Sequence, residues 1–402
     1  MLTTAEATEA IAAAMPAFGT TEIALSRATS RILHQSVSAE RDQPPFDRVT
    51  MDGIAIRYAS FEAGNRQFKI QGRQHAGEPR QSLTHDNACI EIMTGAVLPD
   101  NTDCIVPVER TIVEDSTATI ETDYAARQHQ FIHPQASDHK KGQQIIEAGH
   151  RIEAVDIAII ASCGLSSVRV SEQPKIRVIS TGNELVAAGS PINDYQIRSS
   201  NGPALVAMLE THGYTHCQHD HLLDDVKLLK QSLLQHLKEA NVLILSGGVS
   251  MGKADFVPEV LAQLGVEVVF HKISQRPGKP MWFGIGPENQ AVFALPGNPV
   301  STLVCCRQYV IPALAAASKH DVMSAEIATL AEYFEFKARL SCFLPVRVTS
   351  DATGRLVATP VATNTSGDFA ALGATDGYVE LPKDQSEFAA GSAWPLHRWG
   401  SL

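Results

Sequence analysis

The run Asn241-Val-Leu-Ile-Leu-Ser-Gly-Gly-Val-Ser-Met-Gly252 places an apolar strand directly before a glycine-rich loop. Asn241–Leu245 has the unbroken apolar character of a strand buried on both faces, and such strands belong to parallel sheets covered by helices. Outward from it on the N-terminal side, Asp225–Ala240 has helical spacing with Asp224 placed as its N-cap. A strand ends at Leu223, and before that Ser200 or Asn201 starts a helix running to about His212, closed by Gly213. Lys175–Ser180 is a further apolar strand. On the C-terminal side come a helix from about Asp255 to Leu264, the strand Val266–Lys272, and the short strands Met281–Gly284 and Ala291–Leu295. Pro299 then opens a long apolar helix to about Ser318. Strands alternating with helices predict an α/β domain over residues 172–320, with a parallel sheet and helices on both faces.

The flanks differ in character. Residues 1–38 and 139–171 read as one helical domain, with an alanine-rich helix up to Ala14, a short amphipathic segment over Thr21–Ser30, and a helix around Ala154–Cys163 ended by Gly164. Residues 39–138 carry short β-like runs between turns (Gly53–Arg57, Phe68–Ile70, Ala88–Met93, Cys104–Val108, Thr117–Thr122), which predicts a β domain inserted into an elongated helical one. Residues 325–402 alternate strand-like runs with turns and predict a small C-terminal β-barrel or sandwich.

Composition narrows the function classes. At 402 residues the chain exceeds the roughly 250–300 at which single cores stop growing, so several domains are expected. The net charge of −11 argues against non-specific nucleic-acid binding, while leaving room for an anionic ligand held by local donors and a metal. The seven cysteines are scattered and fit reduced, buried thiols in a reducing compartment. The first basic residue is Arg27, so the start lacks the charged region of a signal peptide. No apolar run was expected to reach the roughly 20 residues that span a bilayer. The expectation is a cytoplasmic protein with no membrane and no nucleic-acid partner. The histidines show no zinc-ligand spacing.

In open α/β sheets ligands bind outside the carboxyl ends of the strands. Five segments are predicted to arrive there: Ser180-Thr-Gly-Asn-Glu184, Leu223-Asp-Asp225, Ser246–Gly252 with Asp255, Pro277-Gly-Lys-Pro280, and Pro296-Gly-Asn-Pro299. The glycines of the third segment let backbone N–H groups approach an anion, and the helix that follows offers its positive end. Glu184, Asp224 and Asp255 are carboxylates suited to holding Mg²⁺ against substrate phosphates or to orienting water, although Asp224 and Asp255 read equally as helix caps. Lys272, Arg276 and Lys279 lie near the later loops as donors to an oxyanion or phosphate, or as solvated surface charge. Pro296 and Pro299 form either a rigid wall or a turn before a helix.

Taken together, Ser246-Gly-Gly-Val-Ser-Met-Gly-Lys-Ala-Asp255, Ser180-Thr-Gly-Asn-Glu184, Pro277-Gly-Lys-Pro280 and Leu295-Pro-Gly-Asn-Pro299 resemble the motifs of the molybdopterin molybdenumtransferase (MoeA) family, to which the C-terminal domain of gephyrin is also similar. Pro45-Phe-Asp-Arg-Val-Thr-Met-Asp-Gly53 and Ile92-Met-Thr-Gly-Ala96 resemble the family's N-terminal motifs, in the same order. The resemblance implies four domains and a homodimer whose cleft combines the α/β domain of one subunit with the β domain of the other. It implies adenylylated molybdopterin and molybdate as substrates, Mg²⁺ as cofactor, release of AMP, and contact with other proteins of molybdenum cofactor biosynthesis. Matched position by position, it implies Asp52, Glu184, Asp224 and Asp255 as catalytic, the last three as metal ligands. It implies substrate contacts from Thr94, Asp138, Thr181, Gly247, Gly248, Ser250, Lys272, Arg276, Lys279, Pro296, Pro299 and Ser366. The chain departs from the family at Arg48-Val-Thr50, Asn183 and Lys253, in a basic run before Asp138 reduced to His133 and nearby Lys140-Lys141, and at Pro345, with Arg347 close by. Two other readings are an adenylyltransferase built on the same pterin-binding fold and a non-catalytic molybdopterin-binding scaffold.

Overall fold

A computed structural model of the chain describes residues 1–248, 256–320 and 325–400. The chain divides into two compact units, one of residues 1–34, 149–153 and 168–402, the other of residues 35–148 and 154–167.

The first unit is built on a six-stranded sheet. Its strands are β1 (Ile176–Thr181), β2 (Cys217–Leu222), β3 (Val242–Ser246), β4 (Glu267–His271), β5 (Trp282–Ile285) and β6 (Ala291–Leu295), in the order β2-β1-β3-β6-β5-β4. Strands β2, β1, β3 and β6 run parallel, as expected. Strand β5 does not: it is antiparallel both to β6 and to β4, so β4 again points the same way as the four and the sheet is mixed. The reason is connection length. A parallel neighbour needs a crossover of a dozen or more residues. Only the turn Gly286–Gln290 separates β5 from β6, with the Gly286 N–H donating to the Gln290 carbonyl at 2.7 Å.

Strand β3 shows why an unbroken apolar run was needed. Val242 and Ile244 enter one buried cluster with Leu205, Met208 and Leu209 of α1 (Asn201–Thr211) and with Cys305, Tyr309 and Leu314 of the Pro299–Ala317 helix. Leu243 and Leu245 enter the opposite cluster with Leu233 and Leu237 of α2 (Val226–Glu239) and Val257, Val260 and Leu261 of α3 (Val257–Gln263). Alternate residues of one strand therefore serve two helical layers. The Pro299–Ala317 helix, α4, is long and apolar enough to cross a membrane by length and composition, and 78% of its apolar window is buried in this fold.

Near the N-terminus, Thr4–Ala14 is helical, capped by Thr3 in a capping box with Glu6, and Ala7 and Ile11 join the first cluster. The amphipathic helix expected over Thr21–Ser30 is absent. Thr20–Ala24 is a strand paired with Ser167–Ser171, followed by a single 3₁₀ turn, Leu25–Arg27. Thr20, Thr21 and Ile23 are β-branched and exposure alternates along the segment, so strand pairing overrides a weak helical pattern.

At the C-terminus, Glu326–Leu330, Ser341–Ser350, Leu356–Pro360, Gly377–Leu381 and Ala393–Arg398 pair in a ring, closed by the contact of Ser341–Ser350 with Gly377–Leu381. The expectation of barrel or sandwich resolves to this barrel-like sheet. Gln275–Arg276 adds to its edge, parallel to Ser341–Ser350.

The second unit holds another six-stranded sheet, in the order Cys104–Pro107, Gly53–Ile56, Ala88–Ile92, Gln67–Gln74, Thr117–Ile120, Thr111–Glu114. Ile54, Ile56, Phe68, Cys89 and Val106 fill its main core.

Candidate functional site

Strand register brings the site together. Ser180 of β1 lies level with Ser246 of β3, Ser246 with Leu295 of β6, and Thr181 with Leu222 of β2. The four parallel strands therefore end at one level, and the loops that follow them leave the sheet side by side. They line a cleft of about 770 Å³. Thr181, Glu184, Asp224, Gly247, Gly248, Pro296 and Pro299 all stand on it.

Gly247 and Gly248 have φ of +100° and +66°, and a Cβ on either would press to within 3.0 Å of the Thr181 hydroxyl oxygen. Only glycine gives this turn without clash. The Thr181 side chain is buried beneath it and has no hydrogen-bond partner among the described residues. Glu184 is exposed at the mouth, its carboxylate folded over Gly182, where a Cβ would meet Oε1 at 2.6 Å.

Asp224 was expected to cap the helix after β2. The cap is Asp225, whose Oδ1 accepts from the Leu228 N–H at 2.9 Å. The helix begins one residue later than its apolar spacing suggests, which leaves Asp224 in the loop. There its Oδ2 accepts from the Asn183 N–H at 3.3 Å, and its own N–H donates to Asn183 Oδ1 at 3.1 Å. This reciprocal pair fastens the loop after β1 to the loop after β2 and holds Asp224 on the cleft. Glu184 and Asp224 thus supply oxygen donors of the kind a hard divalent cation takes alongside substrate phosphates. Among the described residues, no group of three or more His, Cys, Asp or Glu could hold a metal by itself. Ser250 and Asp255 lie outside the described residues.

Asn201, read from sequence only as a helix start, has a larger part. Its Nδ2 donates to Ser246 Oγ at 2.8 Å, to the Gly297 carbonyl at 2.8 Å, and to Thr302 Oγ1 at 3.2 Å. One amide thus joins the ends of β3 and β6 to α1. No local signal marks this, because the partners lie 45 to 101 residues away.

Lys272 follows β4 and Lys279 precedes β5, so both stand on the same edge of the sheet towards its antiparallel side, but neither lines the cleft. Arg276 is drawn to the barrel instead, its guanidinium carbon 5.9 Å from the Phe336 ring centre. Ser366 belongs to the barrel's chain and meets the cleft's wall: Asn298 Nδ2 donates to its Oγ at 2.7 Å, and the Val300 N–H donates to its carbonyl at 3.1 Å. Gly367 and Phe369, both missed in the sequence reading, follow it onto the cleft. Pro345 is buried in the barrel and Arg347 is exposed on the same strand; neither lines the cleft.

Asp52, Thr94 and Asp138 lie in the second unit. Asp52 Oδ1 accepts from the Thr94 N–H at 2.6 Å and from its hydroxyl at 2.7 Å. These bonds hold the Asp52 carboxyl below its ordinary range. Asp138 Oδ1 meets His133 Nε2 at 2.9 Å, and Arg48 Nη2 donates to His133 Nδ1 at 3.1 Å. Arg48 and His133 therefore contact each other, and His133 contacts Asp138.

Three family models match the chain: the MoeA N-terminal region (domain I and II) over residues 2–164, a probable molybdopterin binding domain over residues 177–316, and the MoeA C-terminal region (domain IV) over residues 328–395. A molybdopterin molybdenumtransferase of Synechocystis sp. is 39% identical over 401 residues, covering 99% of this chain and 100% of that protein. One from Synechococcus elongatus is 33% identical, covering 90% of each chain. Among solved structures, a molybdopterin biosynthesis MoeA protein from Pyrococcus horikosii matches with a TM-score of 0.84 and 28% identity over the whole of both chains.

Proposed function

The chain belongs to the MoeA family of molybdopterin molybdenumtransferases, enzymes of molybdenum cofactor biosynthesis, and from that premise we propose that it transfers molybdenum from molybdate to adenylylated molybdopterin with release of AMP. The observation that carries this reading is the cleft at the level ends of four parallel strands, where a diglycine turn and two carboxylates face one space.

The diglycine turn and the Thr181 hydroxyl receive the phosphate oxygens of the substrate. Glu184 and Asp224, with Asp255, hold Mg²⁺, which when bound neutralises charge developing on the phosphoanhydride. Asn201 and the Asn183–Asp224 pair keep these loops in position, so little ordering is left to be done when substrate arrives. Lys272 and Lys279 on the same edge, with Arg276 beside the barrel, offer cations for anionic oxygens; Pro296, Pro299 and Ser366 complete the wall, and Ser250 contacts the substrate. Asp52, Thr94 and Asp138 act from the β domain of the second subunit of a homodimer. The four-domain division, with residues 1–38 and 139–171, 39–138, 172–320 and 325–402 as separate domains, belongs to the same proposal.

Purified protein given adenylylated molybdopterin, molybdate and Mg²⁺ is expected to release AMP and retain molybdenum on the product. Asp224→Ala is expected to lower the rate by at least about 100-fold. Pyrophosphate release from Mg-ATP and molybdopterin, with no AMP release in the first assay, would replace this reading with an adenylyltransferase. Inactivity in both assays would leave a binding scaffold.

A further inference from the structure

The cleft carries a feature that phosphate chemistry does not require. Phe369 lines it and is 44% exposed, and Ile197 lines it and is 56% exposed. Apolar and aromatic side chains standing in a cleft beside a few polar groups are the usual lining of a small-molecule site.

Neither sits on a loose segment. Ile197 is in a short strand paired with Leu185–Val186, and its N–H donates to the Glu184 carbonyl at 2.8 Å, which fixes it beside that carboxylate's backbone. Phe369 lies between two anchors. On one side, Ser366 is bound by Asn298 and Val300, and Asp368 accepts from Asn364 through both the backbone and the side-chain amide at 3.1 Å. On the other side, Leu372 is buried with Val300, Val304, Phe343 and Tyr378. The loop buries Leu372 and presents Phe369 three residues earlier. A rigid, exposed ring presented in this way is suited to stacking on a flat partner, a contact that tolerates different heterocycles because each has a π-face.

We propose that Phe369, with Ile197 on the same cleft, forms the apolar platform for a fused nitrogen heterocycle of the substrate. Phe369 then determines affinity while the carboxylates and the diglycine turn handle the phosphates. The inference rests on the substrate proposed above, and that substrate carries two such ring systems, the pterin and the adenine.

The test compares wild type with Phe369→Ala and Phe369→Tyr. In turnover of adenylylated molybdopterin, Phe369→Ala is expected to raise KM about tenfold with kcat changed less than about twofold, and Phe369→Tyr to restore KM. Wild-type turnover with an unchanged KM in Phe369→Ala would overturn the platform and leave the proposed reaction standing. A direct arm is independent of turnover: Phe369→Trp is titrated with AMP and, separately, with molybdopterin, and its fluorescence is compared with that of wild type. Extra quenching by AMP alone places the adenine on residue 369, by molybdopterin alone the pterin, and extra quenching by neither overturns the proposal. Absence of wild-type turnover together with quenching would remove the proposed reaction and keep the platform.

Discussion

Asp52 receives both its hydrogen bonds from one residue, Thr94, and the backbone bond contributes more to its lowered pKa than the hydroxyl bond. Thr94→Val keeps the first and removes the second, so the Asp52 pKa is expected to move part of the way back towards the ordinary carboxylate value of 3.8. The sign follows from linkage: a carboxyl depressed in the folded state stabilises it above the ordinary value and loses that contribution as pH falls through the depressed one. The variant therefore gives up its ionised Asp52 at a higher pH than wild type. Carbon-detected NMR titration of Asp52 reads this directly, and an unchanged midpoint would show that the hydroxyl bond contributes nothing. At this scale the sequence was informative where chemistry is local. Asp52 and Thr94 belong to the separate motifs Pro45–Gly53 and Ile92–Ala96, and they do meet. It misled at Asp224, because two adjacent aspartates compete for one cap and only backbone geometry chooses Asp225.

At the scale of elements, the site depends on level strand ends and on what ties the loops beyond them. Asn201→Ala removes one amide and leaves Ser246 Oγ and the Gly297 carbonyl without that donor, at a cost of about 1–3 kcal/mol. Urea denaturation is expected to show the loss as a lower midpoint with an unchanged slope. A stability equal to wild type would mean that the loops are held by other means. The strands and helices of the parallel half were legible because each has a strong period: β3 as an apolar run, α2 as an amphipathic helix, α4 as a long apolar stretch behind Pro299. The antiparallel half was readable in principle from its short connections, a signal that periodicity alone does not carry. Asn201 and Phe369 were not legible, since their roles exist only after distant segments have met.

At the scale of the whole molecule, the proposed homodimer with a shared cleft makes a prediction that no single chain can test. Asp52→Ala and Asp224→Ala damage different contributors to one site. Mixing the two inactive proteins under subunit exchange is expected to restore about a quarter of wild-type activity, because random pairing makes half the dimers mixed and each mixed dimer keeps one intact site of two. No recovery after verified exchange would place both residues in the same subunit's site. Chain length pointed to more than one compact unit, and the chain divides into two. The alternating runs of residues 325–402 read as a barrel or sandwich, and the long-range pairing of Ser341–Ser350 with Gly377–Leu381, which no local signal carries, decides for the barrel.

Gln275–Arg276 lies in sequence between β4 and β5, yet its backbone pairs with the barrel strand Ser341–Ser350. For anyone grafting the barrel of one relative onto the α/β core of another, a splice after α4 would sever a seam rather than a joint. The stretch from Lys272 to Pro280 has to travel with the barrel, or the recipient core will offer the newcomer an edge cut for a different guest.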